Sequence, residues 1–384
     1  MFSPDQLASI QTIPTPFYYY DMELLQQTLD AVQKHGLSRG YHVHFALKAN
    51  NNERILSAIR DAGLGADCVS GREIEKALDV GFTPEQIAFA GVGKTDEEID
   101  TGLKHDIYSF NCESVQEIEV LNERAARMGK TVNISVRLNP NVEAKTHKYI
   151  TTGLTENKFG VNPENLPELF QKLPELTHVK VTGIHFHIGS QITDLQPYID
   201  LCEKANHFQE LFELRNYPLS HINVGGGFGI DYGDPDGHSI PDFDSFFSVF
   251  ERHLKLRDNQ QLHFELGRSV VGQCGSLISR VLFIKKGITT NFAIIDAGMT
   301  ELIRPALYQA NHAITALTSS KPESVYDVVG PICETSDTFS KKLSLPELER
   351  GDLVAIRSAG AYGQVMSSDF NLRDRAKAIF SDAL

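Results

Sequence analysis

The sequence predicts an α/β TIM barrel followed by a C-terminal β-rich domain of β-barrel or sandwich type. Three observations carry this. Short β-rich runs alternate with amphipathic helical segments eight times over roughly 230 residues. The rhythm changes after residue 275, where strand patterns, Gly- and Pro-rich turns and few helices follow. A β-prone run, PFYYYD at 16–21, stands ahead of the first helical segment and would join the β-rich domain. Eight units favour closure over a doubly wound open sheet, which is the alternative. The expected barrel spans 25–275, and the β-rich domain is discontinuous, 1–24 and 276–384.

The barrel strands are expected at 42–47, 66–69, 87–89, 107–110, 132–138, 182–187, 222–224 and 263–265. Between them, residues 52–62 place Ile55, Leu56 and Ile59 on one helical face, and residues 114–128 do so with Val115, Ile118, Leu121 and Ala125. Ser70 with Glu73, and Thr95 with Glu98, have the spacing of a capping box. Later strands are expected at 276–283, 292–296, 324–329 and 352–357.

Bulk properties exclude several classes. The chain has 384 residues, 41% hydrophobic and 22% charged, enough for a large core and too few charges for disorder. A net charge of −14 without a basic run argues against a nucleic-acid partner, which needs clustered Lys and Arg. The five cysteines, Cys68, Cys112, Cys202, Cys274 and Cys333, form no CxxC pair and are expected to be reduced thiols, with no metal site. No stretch approaches a membrane span and the first residues lack a signal-peptide pattern, so a cytoplasmic location is expected.

In a TIM barrel the chemistry sits where strands end. Lys48 ends the first strand in FALKAN; partial burial would lower its pKa toward an imine-forming amine, whereas a solvent-reaching strand-end Lys is the ordinary alternative. His185 and His187 end the sixth strand in GIHFHIGSQ and share one face, as ring-stacking, structural or metal-binding groups. GGGFG at 225–229, following the seventh strand, could cradle a phosphate or simply turn. Glu265 ends the eighth strand in HFELGRS. It could hold a ring nitrogen protonated or pair locally with Arg268, and Gly267, Arg268 and Ser269 add possible donors. Two further clusters are GPICETSD, with Cys333 beside Glu334, and SAGAYGQVMSS, where Tyr362 sits among small residues.

Seven segments occur in one order: FALKAN, HKYITTGLTENKFG (147–160), HFHIGSQ, GGGFGIDY, MTELIRPALYQANH, GPICETSD and AGAYGQVMSS. Together, from Pro14 to about Arg373, they resemble the fold-type III pyridoxal 5'-phosphate (PLP) decarboxylases with an alanine-racemase-like barrel, most closely the diaminopimelate decarboxylases. Two departures stand out. Glu265-Leu266-Gly267-Arg268 replaces the family's EPGR, and the chain stops at Leu384 where many relatives continue; neither removes a motif residue.

The resemblance implies decarboxylation of meso-2,6-diaminopimelate to L-lysine and carbon dioxide, the last step of lysine biosynthesis. Lys48 would hold PLP, Glu265 would support the ring as an electron sink, and His187 would stack on its face. Ser190, Gly226, Gly227, Gly267, Arg268 and Tyr362 would hold phosphate or cofactor. Arg268, Arg304, Tyr308 and Tyr362 would take the substrate, with the arginines and Tyr308 on its distal carboxylate and Glu334 on its distal ammonium. Cys333 would return a proton to the α-carbon. The Cys–Glu loop of the family reaches into a partner's barrel, so a homodimer with shared active sites is implied. The alternatives are decarboxylation of ornithine, arginine or carboxynorspermidine on the same fold, a racemase-like enzyme, and a non-catalytic PLP-binding homologue.

Overall fold

A computed structural model describes residues 2–142 and 158–384. After β1 (Phe17–Tyr20), eight parallel strands close a barrel in chain order: β2 (His42–Ala46), β3 (Gly65–Cys68), β4 (Ile87–Phe89), β5 (Ser109–Cys112), β6 (Val132–Arg137), β7 (Val179–His185), β8 (His221–Asn223) and β9 (Gln261–Leu266). Closure is made by β9 on β2, with His42 opposite His263 and Phe45 opposite Leu266. The open-sheet alternative is thereby excluded.

The intervening helices form as the apolar spacing dictates. Glu53–Asp61 buries Ile55, Leu56 and Ile59, with the Asn52 side chain capping Arg54 N–H. Val115–Arg127 buries Ile118, Leu121 and Ala125 and is capped by Ser114. Thr95 and Glu98 make the full reciprocal box. At the other expected box the Ser70 side chain caps Glu73 N–H, but the Glu73 carboxylate accepts from Val69 N–H at 2.7 Å.

Two barrel strands sit away from their expected places. β5 begins at Ser109, because Tyr108 N–H is bonded to the carbonyls of Pro84 and Ile87 and Ile107 is tucked in ahead of the strand. β7 ends at His185, which leaves His187 in the following loop rather than on the strand.

The second part is a mixed eight-stranded sheet. Its path is β12 (Ile314–Ala316), β15 (Leu353–Ile356), β10 (Gly275–Lys286), β11 (Asn291–Ile295), β13 (Glu323–Val329) and β14 (Thr338–Pro346). The N-terminal β1 pairs antiparallel with β10 and parallel with β16 (Lys377–Phe380). The chain divides into two compact units. One, Leu29–Gly229 with Asp242–Gly267, holds the barrel; the other, Met1–Thr28 with Ile230–Pro241 and Arg268–Leu384, holds the sheet. Residues 230–241 and 268–275 thus group with the sheet, where the Gln273 amide donates to the carbonyls of Asp231 and His238.

The barrel interior is unusually polar. His44 Nε2 lies 2.8 Å from His263 Nδ1, the Tyr108 hydroxyl lies 3.3 Å from His263 Nε2, and Ser135 Oγ lies 2.7 Å from His221 Nε2. Burial pushes His221 down to about 3, whereas an unfolded histidine titrates near 6.5. Below about pH 6.5 the unfolded chain therefore takes up a proton that the folded ring refuses, which costs about 1.4 kcal/mol per pH unit for each such ring. The urea midpoint should fall between about pH 7 and pH 5, and His221→Asn should flatten part of that slope. An unchanged slope in the variant would show that this ring is not held neutral.

Candidate active site

The barrel strands end in a cluster of polar groups. Lys48 occupies the 3-10 turn Leu47–Ala49 directly after β2, and its Nζ donates to Asp67 Oδ2 at 2.7 Å. Asp67, on β3, is fully buried, and its other oxygen has no partner. Burial and the nearby Glu265 charge push Asp67 up to about 7 despite the pull of Lys48.

Glu265, on β9, is also buried, but its environment acts the other way. Asn111 Nδ2 on β5 and Asn223 Nδ2 on β8 donate to Oε1 at 2.9 and 2.8 Å, and His185 Nε2 on β7 lies 3.0 Å from Oε2. Burial alone would raise this carboxyl. His185, then Lys48, override that effect and hold it well below the usual carboxylate range.

These groups face a pocket of about 320 Å³ whose lining includes Lys48, Arg137, Phe159, His185, His187 and Glu265, a volume suited to a small molecule. His185 and His187 thus share the face expected of them, although only His185 is on the strand. Arg137, at the end of β6, donates through Nη1 to Glu113 Oε1 at 2.5 Å and stacks on Phe159 at 4.7 Å. Among the described residues its buried Nη2 has no acceptor. His187 is pushed down to about 3 by burial, with the Arg137 and Lys48 charges adding to it. Gly226 N–H donates to His187 Nδ1 at 3.3 Å, so the ring is a neutral acceptor there.

The GGGFG loop owes its composition first to packing. A Cβ on Gly225 would meet the Phe186 carbonyl oxygen at 2.2 Å, on Gly226 the Glu265 oxygen at 1.8 Å, and on Gly227 the Gly189 oxygen at 2.3 Å. Gly225 N–H is already bonded to Asn223 Oδ1 at 2.9 Å. Ser190 follows Gly189 in the adjoining loop, and Gly267 ends the barrel segment next to the short helix Arg268–Val271.

The sheet unit carries a second cluster. Tyr232 Oη accepts from Arg268 Nη1 and, at 2.7 Å, from Arg304 Nη1. The Arg268 guanidinium also lies over the Tyr362 ring at 4.9 Å, and Tyr362 itself has a left-handed backbone, φ 57°. Tyr308 ends the short helix that Arg304 begins. Cys333 and Glu334 are both exposed in the connection from β13 to β14. Asp337 shapes that connection: its carboxylate accepts from Met299 N–H and Ile332 N–H, each at 2.7 Å.

Sequence reasoning passed over Asp67, Asn111, Arg137 and Asn223, as well as Tyr232, His312 and Asp337. For the barrel four the signal was present: each is a polar residue inside or ending an apolar strand, at a place where alternation points inward. Residues 147–157 of the HKYITTGLTENKFG motif lie outside the described residues.

Comparison with known proteins gives a consistent result. Residues 23–272 match the family described as pyridoxal-dependent decarboxylase, pyridoxal binding domain. Over 375 residues, 97% of this chain and 97% of the relative, the sequence is 53% identical to diaminopimelate decarboxylase of Bacteroides thetaiotaomicron. The crystal structure of diaminopimelate decarboxylase from Helicobacter pylori complexed with L-lysine is similar at TM-score 0.91 and 40% identity, over 97% of this chain and 93% of that one. The M. jannaschii enzyme in co-complex with L-lysine is similar at TM-score 0.90 and 32% identity, over 98% and 89%.

The tight glycine packing is open to test. Gly226→Ala forces a methyl group against backbone, and overpacking of this kind costs about 1–3 kcal/mol. Urea unfolding should show a loss of that size, and a variant as stable as the parent would mean that the loop moves aside freely.

Proposed function

The chain belongs to the diaminopimelate decarboxylases, and from that premise we propose that it converts meso-2,6-diaminopimelate to L-lysine and carbon dioxide. The observation that carries the reading is the contrast at the barrel end. One buried carboxylate, Glu265, is held ionised by three donors, while an amine, Lys48, stands hydrogen-bonded to a second carboxylate, Asp67, that burial pushes the other way. The pocket also suits PLP on its own terms, because Arg137 Nη2 lines up a buried N–H that lacks an acceptor.

PLP, when bound, supplies an electron sink for the pair released as the α-carboxylate departs. Lys48 is the residue that holds it through its amine, and Asp67 takes and returns the proton that this amine gives up. Glu265 keeps a proton on the ring nitrogen. His187, neutral, would offer the cofactor ring a flat partner, and Arg137 would offer it a buried N–H. Gly226, Gly227, Ser190, Gly267, Arg268 and Tyr362 hold the phosphate end. Arg268, Arg304 and Tyr308 take the distal carboxylate and Glu334 takes the distal ammonium, so both charges of the far end are read. Cys333 donates the proton that replaces the lost carboxylate.

Cys333 and Glu334 stand exposed on their connection, which supports a homodimer in which each subunit lends this loop to its partner's barrel. No helix among the described residues is long and apolar enough to cross a membrane, and a cytoplasmic location fits the lysine-forming reaction.

Purified protein with PLP and meso-diaminopimelate should form lysine. Lys48→Ala should form none and lose the visible absorbance of the bound cofactor. Cys333→Ala should keep that absorbance while turnover falls by about 10²- to 10⁴-fold, the usual weight of a proton donor. Mixing the two inactive variants under subunit exchange should restore about a quarter of wild-type activity, since half the dimers then carry one intact site of two. No recovery despite demonstrated exchange would overturn site sharing.

A further inference from the structure

Two motif residues remain without a role, the tyrosine of GGGFGIDY and the histidine of MTELIRPALYQANH. They are Tyr232 and His312, and they meet at Arg304. Tyr232 Oη accepts N–H groups from both Arg268 and Arg304, and its ring lies 5.8 and 5.1 Å from the two guanidinium carbons. His312 is buried, with its ring edge-to-face on Tyr232 at 4.9 Å. Its Nε2 lies 3.0 Å from Arg304 Nη1 and its Nδ1 lies 2.8 Å from the Arg357 carbonyl oxygen.

These partners leave His312 one state. A carbonyl oxygen only accepts, so Nδ1 carries the hydrogen. Nε2 then presents its lone pair to the guanidinium, which only donates. A proton on Nε2 would set N–H against N–H beside Arg304, with Arg268 close by. Burial and the Arg304 charge favour the neutral ring, pushing it down to about 3.

Arg304 is thus held by neutral groups, Tyr232 and His312. Arg304 is buried, its Nε has no partner, and among the described residues no carboxylate pairs with it. A buried guanidinium costs stability unless an anion meets it. The acceptors that fix Arg304 in place do not neutralise it, and its charge stays available for a ligand.

We propose that Tyr232 and His312 are positioning residues that hold Arg268 and Arg304 as one anion receptor and so set the affinity for substrates with a distal carboxylate. The inference rests on the reading, given above, that the arginines take that carboxylate. The phenol and the imidazole act through Arg304 and touch no bond that breaks.

The test uses the PLP-loaded enzyme and meso-diaminopimelate. Tyr232→Phe deletes one oxygen, and His312→Phe deletes the acceptor while keeping a ring. Each removes a hydrogen bond to a charged group and should raise KM on the order of tenfold to a hundredfold. The kcat and the cofactor absorbance should stay near the parent's, and His312→Gln, which keeps an acceptor, should recover part of the loss. In an Arg304→Met background Tyr232→Phe should add little, because it acts through Arg304. A fall in kcat at unchanged KM, or full additivity in the double variant, overturns the proposal. If Arg304→Met itself leaves KM unchanged, the reading of the arginines fails. If Arg304→Met raises KM while Tyr232→Phe and His312→Phe do not, the positioning role alone fails.

Discussion

The structure turns on one buried negative charge. Glu265 sits inside a closed barrel, and an isolated carboxylate there would protonate or unfold its surroundings. It stays ionised because Asn111, His185 and Asn223 reach it from three other strands. Satisfying this charge sets the strand ends that carry the donors, and the same charge adds to the burial that raises Asp67 beside Lys48. One electrostatic constraint therefore organises both the acid–base pair and the group that supports the cofactor ring.

The sheet unit solves the opposite problem. It buries positive charge at Arg268 and Arg304 and surrounds it with neutral acceptors, Tyr232 and His312. At the barrel end the protein supplies the counter-groups itself; at Arg304, among the described residues, no carboxylate answers the buried charge. An amino acid with two ionic heads is a natural match to a protein that treats its buried charges in these two ways.

Much of this was legible in the sequence, and the limits have physical reasons. Periodicity found the eight barrel strands because parallel strands buried on both sides read as short apolar runs. It missed β14, whose TFSKKLSLP carries two adjacent exposed lysines, and it missed the short β12 and β16. Lys48, His187 and Glu265 stood out by chemistry at strand ends. Asp67 and Asn223 did not, since a polar residue in a strand of three or four residues looks like a break until the barrel closes around it. Tyr232 and His312 were hidden for another reason. They are 80 positions apart, and their meaning appears only where both converge on Arg304.

Barrel closure also bears on how the chain is made. β9 is the last barrel strand to leave the ribosome, and it completes the ring by pairing with β2, the first. Until it arrives, Asn111, His185 and Asn223 belong to an open sheet whose polar side chains water can still reach, and the closing strand brings the carboxylate that takes the place of that water. The charge around which the barrel end is arranged is thus also the last of these partners to be synthesised.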